Sequence, residues 1–354
     1  METTATEIAR TEPGTDADDD RLSSLPDEII SHILSFLQTK YAVGTAVLSR
    51  RWKDLWARVS NLDLDNTLVY KPLDMQIFLR SLPPVEQRSF QGRKLFAEIL
   101  GRRELEFCRF ADKVLRQHKN LDSVRRFRFR CSVYYRESRL SPDSLFETEL
   151  VFGPLLEEID VLICGETEFG FPQCMRCIPE SFYTLKNLKV AKLQGVVLGT
   201  IEQPVSLPSL KILQLKDVLM NDVKSLGRLI SGCTVLETAH LERCSPPNMK
   251  LMDTIEACSP YLKNLKIMSE SACHDPICPI VIEAPNLEHL HLGRFADLKF
   301  KGSSPLSCLH SADVALECCS SWNHAEFALL TQISTAKKIR ISAGNLVTNP
   351  YFPP

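Results

Sequence analysis

Between Val124 and Ile341 the apolar residues recur as a trio: apolar, two residues, apolar, one residue, apolar. It reads Val124-Phe127-Phe129, Leu156-Ile159-Val161, Leu188-Ala191-Leu193 and Leu210-Leu213-Leu215. It continues as Leu236-Ala239-Leu241, Leu262-Leu265-Ile267, Leu287-Leu290-Leu292 and Ala336-Ile339-Ile341. Before the last trio, Ala312-Val314-Leu316 alternates cleanly; Leu316 is taken as its closing residue, in a register open to a slip of two. The closing positions step by 32 residues twice and then by 22 to 26. Each alternation predicts a short strand with one buried face. One such unit cannot bury that face alone, whereas a stack forms a continuous core. Between the trios, Val223, Leu226, Leu229 and Ile230 form a helical stripe closed by Gly232-Cys233. Leu251, Met252 and Ile255 form a second, closed by Ser259-Pro260. Val59, Leu62 and Leu64 offer a first strand, and Phe107, Phe110, Ala111, Val114 and Leu115 an amphipathic helix leading into Phe127. Residues 83–104, with Pro83-Pro84 and many charges, read as an insertion or loose loop.

Residues 20–56 follow another period. Ser24-Leu25-Pro26-Asp27 fits a helix start, with Ser24 as cap, Pro26 where a missing N–H costs nothing, and Asp27 and Glu28 at the positive end of the dipole. Ile29, Ile30, Ile33, Leu34 and Leu37 recur at helical spacing. A break at Gln38-Thr39-Lys40 precedes a shorter turn with Ala42, Val43, Ala46 and Val47. Ser49 fits the cap of a third helix that presents Trp52, Leu55 and Trp56 beside Arg50, Arg51 and Lys53. So small a unit tends to complete its core against a partner.

This segment resembles the F-box family along its whole length: a Leu-Pro followed by acids, an Ile/Leu helix, the run VLSRRW and a closing Trp. An F-box docks a protein onto the Skp-type adaptor of a cullin-RING ubiquitin ligase. The resemblance implies that Leu25, Pro26, Ile29, Ile33, Leu34, Leu48, Trp52 and Trp56 lie at or just under the adaptor surface. Gln38 stands where the family commonly has Pro, Tyr41 where an acid is common, and Gly44 where a larger residue is common. Gly in a helix costs roughly 1 kcal/mol against Ala, so a weakened middle helix is expected. The trio at a period near 20–29 residues is similar to the leucine-rich repeat. LPSLKILQL, LISGCTVLE and APNLEHLHL are similar to a plant subfamily that joins an F-box to irregular leucine-rich repeats, often with a C-terminal module called FBD. No FBD module is seen, and VTNPYFPP reads as a shortened version.

The implied fold is α/β: a small three-helix F-box, then an irregular leucine-rich-repeat solenoid with parallel strands on the concave side and helices and loops on the convex side. The expected organisation is a disordered acidic tail (1–19), the F-box (20–60), a linker and helical transition (61–120), the solenoid (121–345) and a C-terminal tail (346–354).

Net charge of −2 and a pI near 6.5 give no global field toward nucleic acid or an anionic membrane. No apolar run reaches about 18 residues, so no membrane span is expected. METTATEIARTEPGTDADDD has no apolar core of a secretory signal and carries seven acids against one Arg. The 13 Cys are odd in number and irregularly spaced, which suits reduced thiols in the nucleus or cytoplasm. Cys174 and Cys177 are a lone CxxC, Cys273-His274 with Cys278 is no better as a zinc site, and Cys318-Cys319 reads as packing. No metal or other cofactor is expected, and no glycine-rich phosphate loop, GxSxG or HExxH motif is present. The reading is therefore non-catalytic.

Residues flanking the strand positions face outward. Arg126, Arg128 and Arg130 come first, beside Glu158 and Asp160. They read as a cross-strand ion-pair ladder, as a basic patch for an acidic or phosphorylated degron, or as a plain solvated face. The candidate substrate-binding residues are these three with Lys192, Lys216, His240, Lys266 and His291. The resemblance implies a substrate-recognition subunit of an SCF-type ubiquitin ligase, with the Skp-type adaptor, cullin and RING subunits and a protein substrate as partners. A small-molecule co-receptor, and an interaction scaffold with a non-functional F-box, remain as alternatives.

Overall fold

The structure, a computed structural model, describes residues 22, 24–66, 80–81, 90–133, 152–165, 176–245, 255–268, 280–293, 298–300, 306–316 and 324–343. The two expected tails, Leu251 and Met252, and Cys174, Cys273, His274, Cys278, Cys318 and Cys319 lie outside the described residues.

Helices α1 (Asp27–Leu34) and α2 (Thr39–Gly44) open the chain. Where the spacing predicts a third helix, separate 3-10 turns stand at Trp52–Asp54 and Trp56–Arg58, after one at Thr45–Val47. Next come β1 (Asn61–Asp65), α3 (Phe90–Gln117), β2 (Arg126–Val133), β3 (Glu158–Gly165) and β4 (Arg176–Cys177). They are followed by β5 (Val190–Gln194), β6 (Val196–Leu198), β7 (Ile212–Met220), α4 (Val223–Ser231) and β8 (Thr238–Ser245). The rest are β9 (Ile255–Cys258), β10 (Asn264–Met268), β11 (Ile280–Glu283), β12 (His289–Leu292), β13 (Leu298–Phe300), β14 (Ser311–Leu316), α5 (His324–Ile333) and β15 (Lys338–Ala343).

The main sheet runs β1-β2-β3-β5-β7-β8-β10-β12-β14-β15, so chain order is space order. Every pair on this path is parallel. The register brings Leu62, Phe127, Ile159, Ala191, Leu213, Ala239, Leu265, Leu290, Ala312 and Ile339 into one row. Leu64, Phe129, Val161, Leu193, Leu215, Leu241, Ile267, Leu292, Val314 and Ile341 form the next. All but the final Ile pair are buried. Full burial of a Val, Leu, Ile or Phe side chain is worth about 1.5–3 kcal/mol, so these rows dominate the core.

The register moves one expected trio. Val314, not Leu316, aligns with Leu292 and Ile341, which makes the trio Leu309-Ala312-Val314. A shift of two keeps the same strand face, so alternation alone could not decide it; buried Leu309, in the entering turn, does.

Behind the main sheet a second layer repeats the same order. Strands β9, β11 and β13 pair in parallel, with α4 against β9 and α5 against β13. Leu226, Leu229, Ile230, Ile282, Leu329 and Ile333 point from this layer into the shared core. The predicted α4 stripe is thus a buried helix face. The helix predicted around Ile255 is instead strand β9, because Ile255–Cys258 pairs with Ile280–Glu283. Three apolar residues do not separate a helical from an extended period.

The loop expected at 83–104 is also corrected, since α3 begins at Phe90. Arg93, Lys94, Glu98, Arg102, Arg103 and Glu104 are good helix formers, and their charge suits a helix as well as a loop. The predicted stripe of α3 holds: Phe107, Ala111, Val114 and Leu115 are buried, and the Phe107 ring lies 5.8 Å from that of Phe129.

The N-terminal helices are welded to the sheet. Asn61 donates to the Ser35 carbonyl (3.0 Å), and the Asp63 N–H donates to Thr39 Oγ1 (2.8 Å). The Lys119 N–H donates to the Ala57 carbonyl (2.9 Å). Buried His118 spans the same join, with Nε2 donating to the Val59 carbonyl (2.9 Å) and Nδ1 accepting from the Asn120 N–H (3.4 Å). Only a neutral ring makes both bonds.

Two predictions follow from this packing. A Cβ on Gly227 of α4 would stand 2.2 Å from the Glu256 carbonyl oxygen of β9. Gly227→Ala should therefore lower stability by about 1–3 kcal/mol in denaturant unfolding, despite the better helix propensity of Ala. Burial holds His118 below its ordinary value of 6.5. On acidification through that range the unfolded chain takes up a proton that the folded chain refuses, so stability falls. The melting temperature should drop between neutral and mildly acidic pH, and His118→Gln, which can keep the bond to Val59, should drop less.

Candidate docking surfaces

Helix α1 divides its apolar residues between two faces. Ile30 and Leu34 pack inward in one core with Trp52, Leu55 and Trp56, all buried. Ile29, Ile33 and Phe36 recur at i, i+4 and i+7 and face outward. The helix begins after Pro26 with no side-chain cap, so Ser24 does not take that role; the Pro26 carbonyl accepts from the N–H groups of Ile29 and Ile30, both at 3.1 Å. Arg51 Nε donates to Asp27 Oδ1 (2.7 Å), and its Nη2 donates to the Leu25 carbonyl. These bonds tie the Trp segment to the start of α1. Ser49 Oγ accepts from the Trp52 N–H (3.4 Å), as its position predicts. Helix α2 forms with Gly44 in place, and a Cβ there would meet nothing within 4 Å.

Among the candidate adaptor residues, Pro26, Ile29, Ile33 and Leu48 are exposed, Leu25 is half-buried, and Leu34, Trp52 and Trp56 lie beneath. The neighbouring surface adds Phe36, Leu37, Tyr41 and Val47, which that set lacks. Val47 is 87% exposed, Phe36 73% and Leu48 65%, unusual values for large apolar side chains so close together in sequence. Such exposure marks an interaction site. Phe36 was findable, three residues beyond Ile33 on the same stripe.

The second surface is the outward face of the sheet. One row reads Asp63, Arg128, Asp160, Lys192, Gln214, His240, Lys266, His291, Asp313, Arg340. Five candidate substrate residues, Arg128, Lys192, His240, Lys266 and His291, thus share a line. Arg126 stands in the row before it, and Arg130 and Lys216 in the row after. The arginines form an ion-pair ladder: Arg126 with Glu158 (3.5 Å), Arg128 with Asp63 (3.6 Å) and Asp160 (3.3 Å), and Arg130 with Asp160 (2.7 Å). Asp63, on β1, is the partner that the trio pattern does not reveal. Burial pushes its carboxyl up, and the Arg128 guanidinium pulls it back.

A knot of charge closes this face. Asp217 and Arg243 each stand two residues beyond a closing residue, and both adopt left-handed backbone, with φ of 52° and 50°. Gly195 holds the equivalent place in β5–β6, with φ of 68°. A non-glycine residue pays about 1–2 kcal/mol there. Against that cost, the Arg243 guanidinium grips both oxygens of buried Asp217, one at 2.9 Å, and Gln194 donates to the same carboxylate at 3.0 Å. Lys216 pairs with Glu242 at 2.9 Å, and His240 Nε2 lies 3.4 Å from Glu242. Burial first, then the Lys266 ammonium, lowers the pKa of His240 and keeps it neutral. Among the described residues no group of three His, Cys, Asp or Glu gathers as a metal site, and no helix is long and apolar enough to cross a membrane.

Comparison with known proteins agrees with both surfaces. The F-box domain family matches residues 22–64, and the family described as FBD-associated F-box protein At5g56370, LRR repeats, matches residues 156–333. The putative F-box/FBD/LRR-repeat protein At5g62970 of Arabidopsis thaliana is 31% identical over 67% of this chain and 49% of its own length. From the same plant, the F-box/LRR-repeat protein At3g59200 is 31% identical over 77% of this chain and 45% of its own, and the F-box protein At4g09920 is 30% identical over 77% and 73%. The chain spans about half the length of the first curated relatives it matches. No solved structure matches it. The chain belongs to the plant F-box/leucine-rich-repeat family.

The two kinds of apolar residue on the N-terminal unit should separate by experiment. Trp52→Ala should cost about 3–5 kcal/mol of stability by opening the core. Val47→Asp, on the exposed turn, should stay within about 0.5 kcal/mol of the parent in the same unfolding measurement.

Proposed function

We propose that this chain is the substrate-recognition subunit of an SCF-type cullin-RING ubiquitin ligase. The observation that carries the reading is the exposed apolar surface of Ile29, Ile33, Phe36, Val47 and Leu48, which falls within the residues that match the F-box domain. A Skp-type adaptor covers that surface and links the chain to cullin and RING subunits. Leu25, Pro26, Ile29, Ile33 and Leu48 contact the adaptor, while Leu34, Trp52 and Trp56 hold the contacting face in shape. The repeats form a curved solenoid whose outward strand face is concave and holds a protein substrate. The chain supplies no catalytic group. It acts by proximity, raising the effective concentration of a substrate lysine near a ubiquitin-conjugating enzyme, in the nucleus or cytoplasm. The weld between helices and sheet supports this role, because a fixed distance between the two docking faces keeps that concentration high.

Co-purification with a Skp-type adaptor tests the reading. The parent chain should form a stoichiometric complex, and Ile33→Asp with Val47→Asp should lower affinity at least about tenfold while the chain stays folded. A folded parent chain that leaves the adaptor unbound would overturn the proposal.

A further inference from the structure

We propose that the strip Lys192, Gln214, His240 and Lys266, on the adjacent strands β5, β7, β8 and β10, docks an extended acidic segment of a protein substrate, with carboxylates four residues apart on Lys192 and Lys266. The proposal rests on reading this face as the substrate-recognition face.

The other cations of the middle and C-terminal rows already hold acids. Arg128 and Arg130 hold Asp160, Lys216 holds Glu242, Arg243 holds Asp217, and Arg340 stands 3.6 Å from Asp313. Among the described residues, no acid comes within ion-pair reach of Lys192 or Lys266. The two ammonium groups are therefore the open positive charges of the strip.

Their spacing selects the ligand. Adjacent strands lie about 4.8 Å apart, so Lys192 and Lys266, separated by three strand intervals, stand about 14 Å apart. An extended peptide crossing the strands advances about 3.4 Å per residue, so side chains at i and i+4 on one face are also about 14 Å apart. Between the lysines, Gln214 offers an amide, and His240 offers a buried Nε2 that makes no hydrogen bond of its own. A polar group at position i+2 of the peptide falls between these two. Asp160 and Asp313 bracket the row on either side, so acids placed outside the window meet like charge.

Carboxylate suits this strip better than phosphate. Phosphate is gripped best by the planar fork of arginine, and the arginine forks of this row and its neighbours are closed on carboxylates. Two separated ammonium groups act as point charges, each sufficient for one carboxylate.

Fluorescence anisotropy with the full chain tests the proposal. The probes are labelled Gly/Ser peptides carrying two Glu at i and i+4, the same two Glu side by side, or two phosphoserines at i and i+4. The spaced Glu peptide should bind at least about threefold more tightly than the adjacent one, and added salt should weaken it. Lys192→Gln and Lys266→Gln should each reduce affinity about fivefold, with unchanged melting temperature, as expected for one exposed ion pair. Equal binding of the two Glu peptides, binding of the phosphoserine peptide alone, absence of binding, or indifference to both lysine substitutions would each overturn it. Adaptor co-purification distinguishes the failures. An intact adaptor complex without peptide binding sinks the strip alone, whereas peptide binding without an adaptor complex sinks the ligase reading alone.

Discussion

A parallel strand pair is held by evenly spaced backbone bonds, and in this protein those bonds fix the same register at nine successive steps of the main sheet. One consequence is an apolar double row on the inner face, closed by Leu64, Phe129, Val161, Leu193 and their successors. The other is that every outward residue has fixed neighbours on the strands before and after it. Core and binding face are thus the same constraint seen from two sides. A slip of one residue in any strand would turn its apolar pair to water and its charges inward.

The turns entering the strands reinforce that register. The Glu157 N–H donates to the Arg125 carbonyl (2.7 Å), Lys189 to Glu157 (2.8 Å), Lys211 to Lys189 (2.9 Å) and Glu237 to Lys211 (3.0 Å). Side chains along the same line pair as well, Lys189 with Glu157 at 2.7 Å and Lys211 with Glu237 at 2.9 Å. The lysines hold both glutamates below the usual carboxylate value. These pairs are half exposed and add little energy each. Their value is positional, because each polar entry point tells the chain where the apolar trio must begin.

The repeat was legible in the sequence because its signal is periodic and redundant. Where one copy stands alone, the sequence is weaker evidence. Ala312-Val314-Leu316 fits two registers equally well until Leu309 is seen in the turn. The apolar Ile255 fits a helix until β11 offers it a parallel partner. The charged stretch before Leu105 looks like a loop because charge reports solvent exposure and not backbone shape. On the N-terminal unit, apolar spacing identified α1 but could not assign each residue to the core or the surface. Trp52 and Trp56 are the most conspicuous residues there, and both are interior. Val47, one of the least conspicuous, is the most exposed of the large apolar side chains.

The two ends of the sheet are treated differently, and this bears on how the parts depend on one another. At the start, β1 packs under α2 and receives the bond from Thr39, so Leu62 and Leu64 are 1% exposed. At the far end, Ile339 and Ile341 occupy the same rows yet stay 42% and 50% exposed. An uncovered strand edge is a liability in any sheet, and terminal repeats need a cap. The N-terminal helices act as that cap, since the residues matching the F-box domain end inside β1 itself. The unit that presents the exposed apolar surface therefore also seals the first rung of the array. A substitution in its interior reaches the repeats through β1, whereas one on its outer face does not.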